Sequence, residues 1–387
     1  MLTKNIEFEN FKKFKKNYLV LKIFKNLKKN IKKNSLLSSL SSKYKYSFNL
    51  NQFNRYKKYN FFRVIGMGGS ILGAQAIYSF LNFKIKKKFE FINNLNIKKN
   101  LEIDQKKLNI IISKSGNTLE TISNFNTLKE NKESIFITGK NDNYLNKIAK
   151  KMKREVFEHK DFIGGRFSVL SETGMLPACL MGLNLKKFKR FNSLINNETF
   201  FNQLVLNVSG ILNLYKSKKT NSIILNYDEN SQDFFYWYQQ LVAESLGKKS
   251  GGILPLISLM PRDNHSLMQL YLDGRKNNFF TFFMVKEKSN KKIRSKYLLD
   301  TYSLLKNKTV EQVIKSEFYA TQKVFIKKKI PFRSFVINNR SEETLGELFT
   351  FFILETILLG KALNINPFNQ PEVELIKKET NKILKKI

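Results

Sequence analysis

Three side chains in this sequence have surroundings that suit proton transfer or the stabilisation of a negative charge. Glu244 lies in the run Trp237–Ser245, among aromatic and aliphatic residues, where partial burial would raise the pKa of a carboxylate and suit it to act as a base. Arg166 follows two glycines, so the backbone can approach a ligand while the guanidinium stabilises an oxyanion. His265 lies between a predicted strand and a predicted helix, where side chains of α/β folds face the ligand cleft.

Each of these side chains also has a purely structural interpretation. Glu244 is compatible with an exposed place in a last helical turn, Arg166 with a salt bridge and His265 with a helix cap. The only other histidine, His159, lies in a charged run and is predicted to be a surface residue. Lys377 is one of many lysines, and chemistry alone does not single it out.

Two short turns predict a phosphate site. Gly-Met-Gly-Gly-Ser (66–70) and Ser-Lys-Ser-Gly-Asn-Thr (113–118) each lie between an apolar, strand-like run and a helix-like run. Backbone N–H groups at such junctions bind anions, and the helix dipole favours negative charge there. One glycine turn alone is compatible with an ordinary tight connection. Two such turns, the second rich in hydroxyls, predict a phosphorylated small molecule held from two sides.

Other nucleotide and metal motifs are incomplete. A dinucleotide fingerprint requires a third glycine where Ile71 stands, and a P-loop ending at Gly247 requires a glycine where Val242 stands. NAD and ATP are therefore not favoured. One cysteine and two histidines make no metal cluster, and no cofactor is predicted. Cys179 has apolar neighbours and is predicted to be a buried packing residue.

Strands and helices alternate along the chain and must position these residues. The predicted buried strands span 61–65, 109–113, 134–138, 222–227, 253–260 and 279–285. The predicted helices include 71–80, 233–246, 266–273, 308–329, 342–363 and 371–386. Such βαβαβ halves predict an α/β protein with two doubly wound parallel-sheet domains, whose ligands bind at the carboxyl ends of the strands, where the strand order switches.

The predicted organisation has four parts. Residues 1–58 form an N-terminal helical arm that packs on the rest. Residues 59–195 form the first α/β domain and residues 196–365 the second, with the Asn-rich segment 192–203 as the boundary. Residues 366–387 form a C-terminal helical tail that completes the site.

Lysine carries the formal net charge of +38, since only ten of the 69 basic residues are arginine. The lysines are spread along the chain, whereas nucleic-acid recognition relies on arginine for bidentate contacts. We interpret the charge as a solvated basic surface with weak, salt-sensitive attraction to polyanions. Specific nucleic-acid binding is therefore disfavoured as the function of this chain.

Compartment and membrane signals are weak. The single cysteine fits a reducing, cytoplasmic setting. The Lys-rich N-terminal residues lack the apolar core of a signal peptide. The longest apolar stretch, 345–359, is interrupted by Glu347 and Glu355, so neither a membrane span nor a membrane partner is predicted.

Six segments, in order along about residues 60–380, resemble the glucose-6-phosphate isomerase (phosphoglucose isomerase) family. The most specific are Gly-Gly-Arg-Phe-Ser at 164–168 and Asn-Pro-Phe-Asn-Gln at 366–370. The others lie at 66–73, 113–121, 239–248 and 264–274. The resemblance implies two sugar-isomerase domains and reversible aldose–ketose isomerisation of glucose 6-phosphate and fructose 6-phosphate in glycolysis and gluconeogenesis, without a cofactor or metal.

The resemblance also implies roles for individual residues. Glu244 matches the carboxylate that carries a proton between C1 and C2 through a cis-enediol, and Arg166 the group that stabilises the enediolate. His265 matches a ring-opening acid–base contributed across a homodimer interface. Lys377 matches a second ring-opening group. The implied substrate contacts are Gly69, Ser70, Ser113, Lys114, Ser115 and Thr118 for the phosphate and Gln370 for a sugar hydroxyl.

Three positions depart from the family pattern: Asn117 replaces Thr, Asn264 replaces Gln and Asn369 replaces Asp. Each keeps a polar group, so we expect altered affinity and a preserved reaction. A catalytically silent sugar-phosphate sensor on the same fold remains an alternative, but phosphate binding alone would not require Glu244, Arg166 and His265 together.

Overall fold

The computed structural model of the chain describes residues 1–12, 14–31, 35–95, 107–128, 133–287 and 291–387. Its strands form two five-stranded sheets. In chain order the strands are β1 (Ile6–Glu9), β2 (Phe61–Gly66), β3 (Lys88–Ile92), β4 (Lys107–Ser113), β5 (Ser134–Thr138), β6 (Val156–Glu158), β7 (Asn221–Asn226), β8 (Leu254–Leu259), β9 (Asn278–Val285) and β10 (Phe332–Ile337).

Helices follow most of the strands and cover the sheets. They are α1 (Tyr18–Lys29), α2 (Ser35–Ser38), α3 (Leu72–Phe80), α4 (Leu119–Asn126), α5 (Tyr144–Lys151), α6 (Glu172–Leu180), α7 (Leu185–Phe188), α8 (Phe191–Asn196), α9 (Glu198–Lys216), α10 (Gln232–Leu246), α11 (Met268–Asp273), α12 (Val310–Lys327), α13 (Glu342–Ala362) and α14 (Val373–Leu384).

The first sheet has the strand order β3-β2-β4-β5-β6, and all its neighbouring strands are parallel. The order reverses between β2 and β4, which is the switch point where doubly wound sheets bind ligands. Gly66 at the end of β2 lies opposite Ile112 near the end of β4. The turn after β2 and the turn that begins at Ser113 therefore leave the sheet side by side.

The second sheet has the order β1-β10-β9-β7-β8 and reverses between β7 and β9. Strands β7 to β10 pair in parallel, and β1 pairs with β10 in the antiparallel direction. The prediction of two doubly wound parallel-sheet domains with a helical tail is confirmed, with the addition of this antiparallel edge strand. The exact domain boundaries stay a prediction.

Helix α13 is a central core element. It packs against α1, α9 and α10 and is buried along almost all its length. Its two interior glutamates have partners: Glu347 accepts from the Thr3 hydroxyl at 2.7 Å, and Glu355 forms an ion pair with the buried Arg333 of β10. Within the described ranges, no helix combines the length and the apolarity that crossing a bilayer would require.

Strands and helices that are strongly apolar lie within a few residues of their predicted bounds. The N-terminal arm contains a strand as well as helices, because the short stretch Ile-Glu-Phe-Glu alternates and completes a sheet edge. The Asn-rich segment 192–203 is helical, since Asn197 accepts from the backbone N–H of Phe200 and caps α9. The strands β3, β6 and β10 were not predicted, because each contains charged residues within a short run.

One side-chain prediction is wrong. His159 is not a surface residue, because only 1% of it is exposed. It follows β6, and its backbone N–H donates to the carbonyl of Thr138 at the end of β5 at 2.7 Å. This contact continues the ladder between the two strands and draws the imidazole into the interior.

Candidate active site

The turn after β2 is in close contact with the turn that carries Arg166. Gly68 has a φ of +52°, which favours glycine. A Cβ on Gly69 would lie 2.2 Å from the carbonyl carbon of Gly165, so only glycine allows this approach. Ser168 stabilises the contact, since its hydroxyl lies between the two turns, 2.6 Å from the carbonyl oxygen of Gly165, to which it donates, and 3.3 Å from that of Gly69.

The turn after β4 gathers three hydroxyl groups. The Ser113 hydroxyl lies 2.8 Å from that of Thr118 and 3.4 Å from that of Ser115. Gly116 has a φ of +65°, and its N–H donates to the Ser113 hydroxyl at 3.1 Å. Hydroxyl and N–H donors are therefore clustered beside the N-terminus of α4, at the switch point of the first sheet.

Lys114 of this turn points away from the hydroxyl cluster. Its ammonium donates to the backbone carbonyl of Asp161 at 2.7 Å, and burial lowers its pKa. The neighbouring Asn117 has a local role, because its side-chain oxygen accepts from the N–H of Tyr144 at 2.9 Å, at the start of α5. Asn117, which replaces the Thr of the family pattern, therefore has a structural contact within the fold.

Arg166 is the centre of a buried cluster. Its side chain is 2% exposed, and its Nε donates to the Ser245 hydroxyl at 2.8 Å. One terminal nitrogen donates to Glu244 at 3.1 Å and to the side-chain oxygen of Gln370 at 2.7 Å. The other donates to the carbonyls of Pro367 at 2.6 Å and Asn369 at 3.1 Å. Burial lowers the pKa of Arg166, but a guanidinium keeps its charge in proteins.

Glu244 lies near the C-terminal end of α10 and is 30% exposed. One carboxylate oxygen accepts from Arg166, and the other accepts from the side-chain amide of Gln240 at 3.0 Å. Both contacts fix the orientation of the carboxylate and leave part of it accessible. A partly buried carboxylate beside a fixed cation can take up and return a proton.

Gln240 joins this cluster to the glycine turn after β2. A Cβ on Gly68 would lie 2.6 Å from its amide nitrogen, so the glutamine packs directly over the turn. Its amide oxygen is buried without a hydrogen-bond partner among the described residues. Neither Gln240 nor Ser245 was predicted to have a role of its own. The spacing of four residues between Gln240 and Glu244 was the available signal, since it places them on one helix face.

His265 and Lys377 do not reach this cluster within the described chain. His265 follows β8 and is exposed. Lys377 lies on α14, which buries none of its residues, and its ammonium pairs with Glu374 at 2.6 Å. Among the described residues, no hydrogen bond joins either side chain to Glu244, Arg166 or Gln370. The structure thus brings Arg166, Glu244 and Gln370 together and leaves the other two apart.

Two further points concern the composition of the site. Asn369 contributes its backbone carbonyl to Arg166, so the departure from Asp leaves this contact unaffected. Across the described ranges, no group of three or more His, Cys, Asp or Glu side chains is placed to hold a metal ion.

The two doubly wound sheets, with hydroxyl-rich turns at a switch point, define a protein of the sugar-isomerase fold class. Solved structures share this fold. A hypothetical protein from Thermus thermophilus superposes with a TM-score of 0.82 at 24% identity, covering 95% of this chain and 94% of that one. A glucose-6-phosphate isomerase from Chlamydia trachomatis superposes with a TM-score of 0.72 at 20% identity, covering 87% of this chain and 72% of that one.

Sequence comparison then specifies the family. A family model described as phosphoglucose isomerase matches residues 56–387. A relative from Methanocaldococcus jannaschii named glucose-6-phosphate isomerase is 33% identical over 366 residues, covering 88% of each chain. The chain belongs to the phosphoglucose isomerase family, and the resemblance seen in its six segments is confirmed.

Proposed function

We propose that this chain catalyses the reversible isomerisation of glucose 6-phosphate and fructose 6-phosphate, without a cofactor. The observation that carries the proposal is the Arg166–Glu244 pair, with N···O at 3.1 Å, beside two donor-rich turns at the switch point. Family membership and the named relatives supply the substrate. The enzyme is therefore an aldose–ketose isomerase that acts on a sugar phosphate.

The residues suit a proton shuttle between adjacent carbons. The Glu244 carboxylate takes the proton from C2 of the open-chain aldose, and the electron pair of that bond forms the double bond of an enediolate. Arg166 stabilises the negative oxygen. Protonated Glu244 then returns the proton to C1. O1 gains a proton and O2 loses one as the new carbonyl forms, so the reaction adds and removes nothing overall.

The substrate's phosphate is proposed to lie between the two turns, on Gly69, Ser70, Ser113, Ser115 and Thr118. The support is geometric, because the clustered hydroxyls and N–H groups lie where two parallel strands end side by side. Lys114 is proposed to contribute through its place in the turn, since its ammonium is engaged by Asp161. Gln370 and Gln240 lie next to the reacting pair and are proposed to contact sugar hydroxyls.

A homodimer is proposed to supply the ring-opening group His265 across its interface, and Lys377 on α14 is proposed as the second ring-opening group. The support is that His265 is exposed beside the open edge strand β8, where Leu254 and Leu256 are also exposed. The neighbouring α11 buries none of its residues. An apolar sheet edge of this kind is suited to covering by another chain. A cytoplasmic location stays a prediction from the single cysteine.

The test is an assay of purified protein with fructose 6-phosphate, coupled to the oxidation of glucose 6-phosphate. We expect Glu244→Gln to lower kcat by at least ~10²–10⁴-fold, because general-base catalysis supplies about this factor. Glu198→Gln, an exposed change in the first turn of α9, is the matched control. Normal exchange of the C2 hydrogen with solvent in Glu244→Gln would contradict the assignment, and an inactive wild type that still binds the sugar phosphate would favour a sensor.

A further inference from the structure

Lys248 lies two residues beyond α10 and connects the end of that helix to another segment. Its ammonium donates to the carbonyls of Glu244 at 2.9 Å and Ser245 at 2.7 Å. These are two of the last carbonyls of α10, which have no partner within the helix. The third bond goes to the carbonyl of Asn366 at 2.9 Å. All three N–H donors of the ammonium are therefore used.

The segment 366–370, which Lys248 holds, is the one that contacts Arg166. Arg166 donates to the carbonyls of Pro367 and Asn369 and to the side chain of Gln370. Two cations thus bind the same short segment, Lys248 at Asn366 and Arg166 at the residues that follow it.

These contacts form a closed ring. Lys248 binds the backbone of Glu244, whose carboxylate binds Arg166. Arg166 binds Pro367, and the adjacent Asn366 returns to Lys248. The ring therefore links the position of the Glu244 carboxylate to that of the Arg166 guanidinium.

We propose that Lys248 is a positioning residue for the reaction, which holds the end of α10 and the segment 366–370 in the register that aligns Glu244 with Arg166. The inference rests on the proposed isomerase function. Lys248 itself is directed at three backbone carbonyls, so it does not act as a substrate ligand here. The ammonium also lies at the C-terminal end of a helix, where the dipole favours a cation.

The neighbouring Lys249 provides a matched comparison. Its ammonium donates to the carbonyl of Asn364 at 3.0 Å, in the turn that follows α13. It contacts neither the last carbonyls of α10 nor the segment 366–370. Replacing either lysine by methionine removes one charge and keeps a long side chain, but only the Lys248 variant loses contacts of the ring.

The experiment measures kcat and KM for fructose 6-phosphate in the full chain. We expect Lys248→Met to lower kcat about 10- to 100-fold, because a displacement of about 1 Å in a catalytic pair costs up to this factor. We expect KM to change less than about twofold, since the phosphate turns are untouched, and Lys248→Arg to recover part of kcat by donating to some of the same carbonyls. Lys249→Met should keep kcat within about twofold of the wild type.

The possible results distinguish a positioning role of Lys248 from a purely structural role. Equal kcat in Lys248→Met and Lys249→Met would overturn the proposal, and so would a rise in KM with unchanged kcat. If Lys248→Met does not fold, Lys248→Gln, which keeps two N–H donors, replaces it in the comparison. Failure of every Lys248 variant to fold would also overturn the proposal, because the residue would then serve stability alone. An inactive wild type would instead contradict the proposed function.

Discussion

Arg166 and Glu244 are arranged so that charge stays balanced as the proposed reaction proceeds. At rest, the buried guanidinium faces one carboxylate and several neutral acceptors. When Glu244 takes up the substrate's proton it becomes neutral, and the negative charge passes to the enediolate oxygen. Arg166 then lies beside a new anion without moving, which is how preorganised electrostatic stabilisation operates.

At the same scale, we predict that replacing both Ser115 and Thr118 by alanine mainly weakens substrate binding. Each hydroxyl that donates to a phosphate contributes about 1.5–3 kcal/mol, so KM for fructose 6-phosphate should rise by at least tenfold while kcat changes less. Thr127→Ala is the control, because its hydroxyl bonds the carbonyl of Asn124 at the opposite end of α4. An unchanged KM in the double variant would remove these residues from the phosphate site.

The elements differ in how far the sequence predicted them. Strands β2, β4 and β5 are buried on both faces, and each is built around adjacent apolar residues that can be recognised from the sequence alone, although β2 also contains Arg63. Strand β10 differs in having two adjacent polar residues, Arg333 and Ser334, and Arg333 is buried beside its ion-pair partner Glu355 on a distant helix. No local pattern contains that partner, so the strand was not predicted.

The same reasoning applies to the site. Glu244, Arg166 and Gln370 were predicted from their motifs. The positions of these motifs along the sequence do not show that the three side chains contact one another. Ser245 and Gln240 lie inside the same motif, but their contribution depends on which donor meets which acceptor. His159 was misjudged because charged neighbours in the sequence lie on its exposed side while the imidazole turns inward.

At the scale of the element, the buried His159 that follows β6 makes stability depend on pH. Its Nδ1 lies 3.2 Å from the carbonyl of Lys160, and burial together with the charge of Lys114 lowers its pKa from 6.5 to about 4. Between these pH values the unfolded chain binds a proton that the folded chain does not. Stability must therefore fall as the pH falls from 6.5 to 4.

We predict that His159 accounts for a loss of up to about 3 kcal/mol in the free energy of unfolding over this pH range. Urea denaturation at pH 6.5 and pH 4 measures it. His159→Gln removes the titrating group, so its stability should fall less between the two pH values. Identical pH dependence in His159→Gln and the wild type would contradict the prediction.

At the scale of the whole molecule, the single chain presents an incomplete set of groups. Arg166 and Glu244 form an ion pair within it. His265 and Lys377 are exposed, and among the described residues neither forms a hydrogen bond with that pair. The exposed face around β8 and α11 carries His265, and in the proposed homodimer this face presents the histidine to the site of the second copy. Activity should then depend on association.

We predict that mixing inactive Glu244→Gln with inactive His265→Ala restores activity after subunit exchange by mild denaturation and refolding. Random pairing makes half the dimers hybrid, and one of the two sites in each hybrid is intact. About a quarter of the wild-type activity should therefore return. Each variant refolded alone is the control. No recovery, with exchange confirmed by differently tagged subunits, would place His265 in the site of its own subunit or outside it.

The pairing of β1 with β10 has a consequence for the order of events during synthesis. Ile6 lies opposite Ile337, so nearly the whole described chain leaves the ribosome between the two strands. The entropic cost of closing so long a loop rises only with the logarithm of its length, but the closure cannot begin before β10 emerges. The first sheet can form while translation continues, whereas the outer edge of the second sheet closes after its last strand has been made.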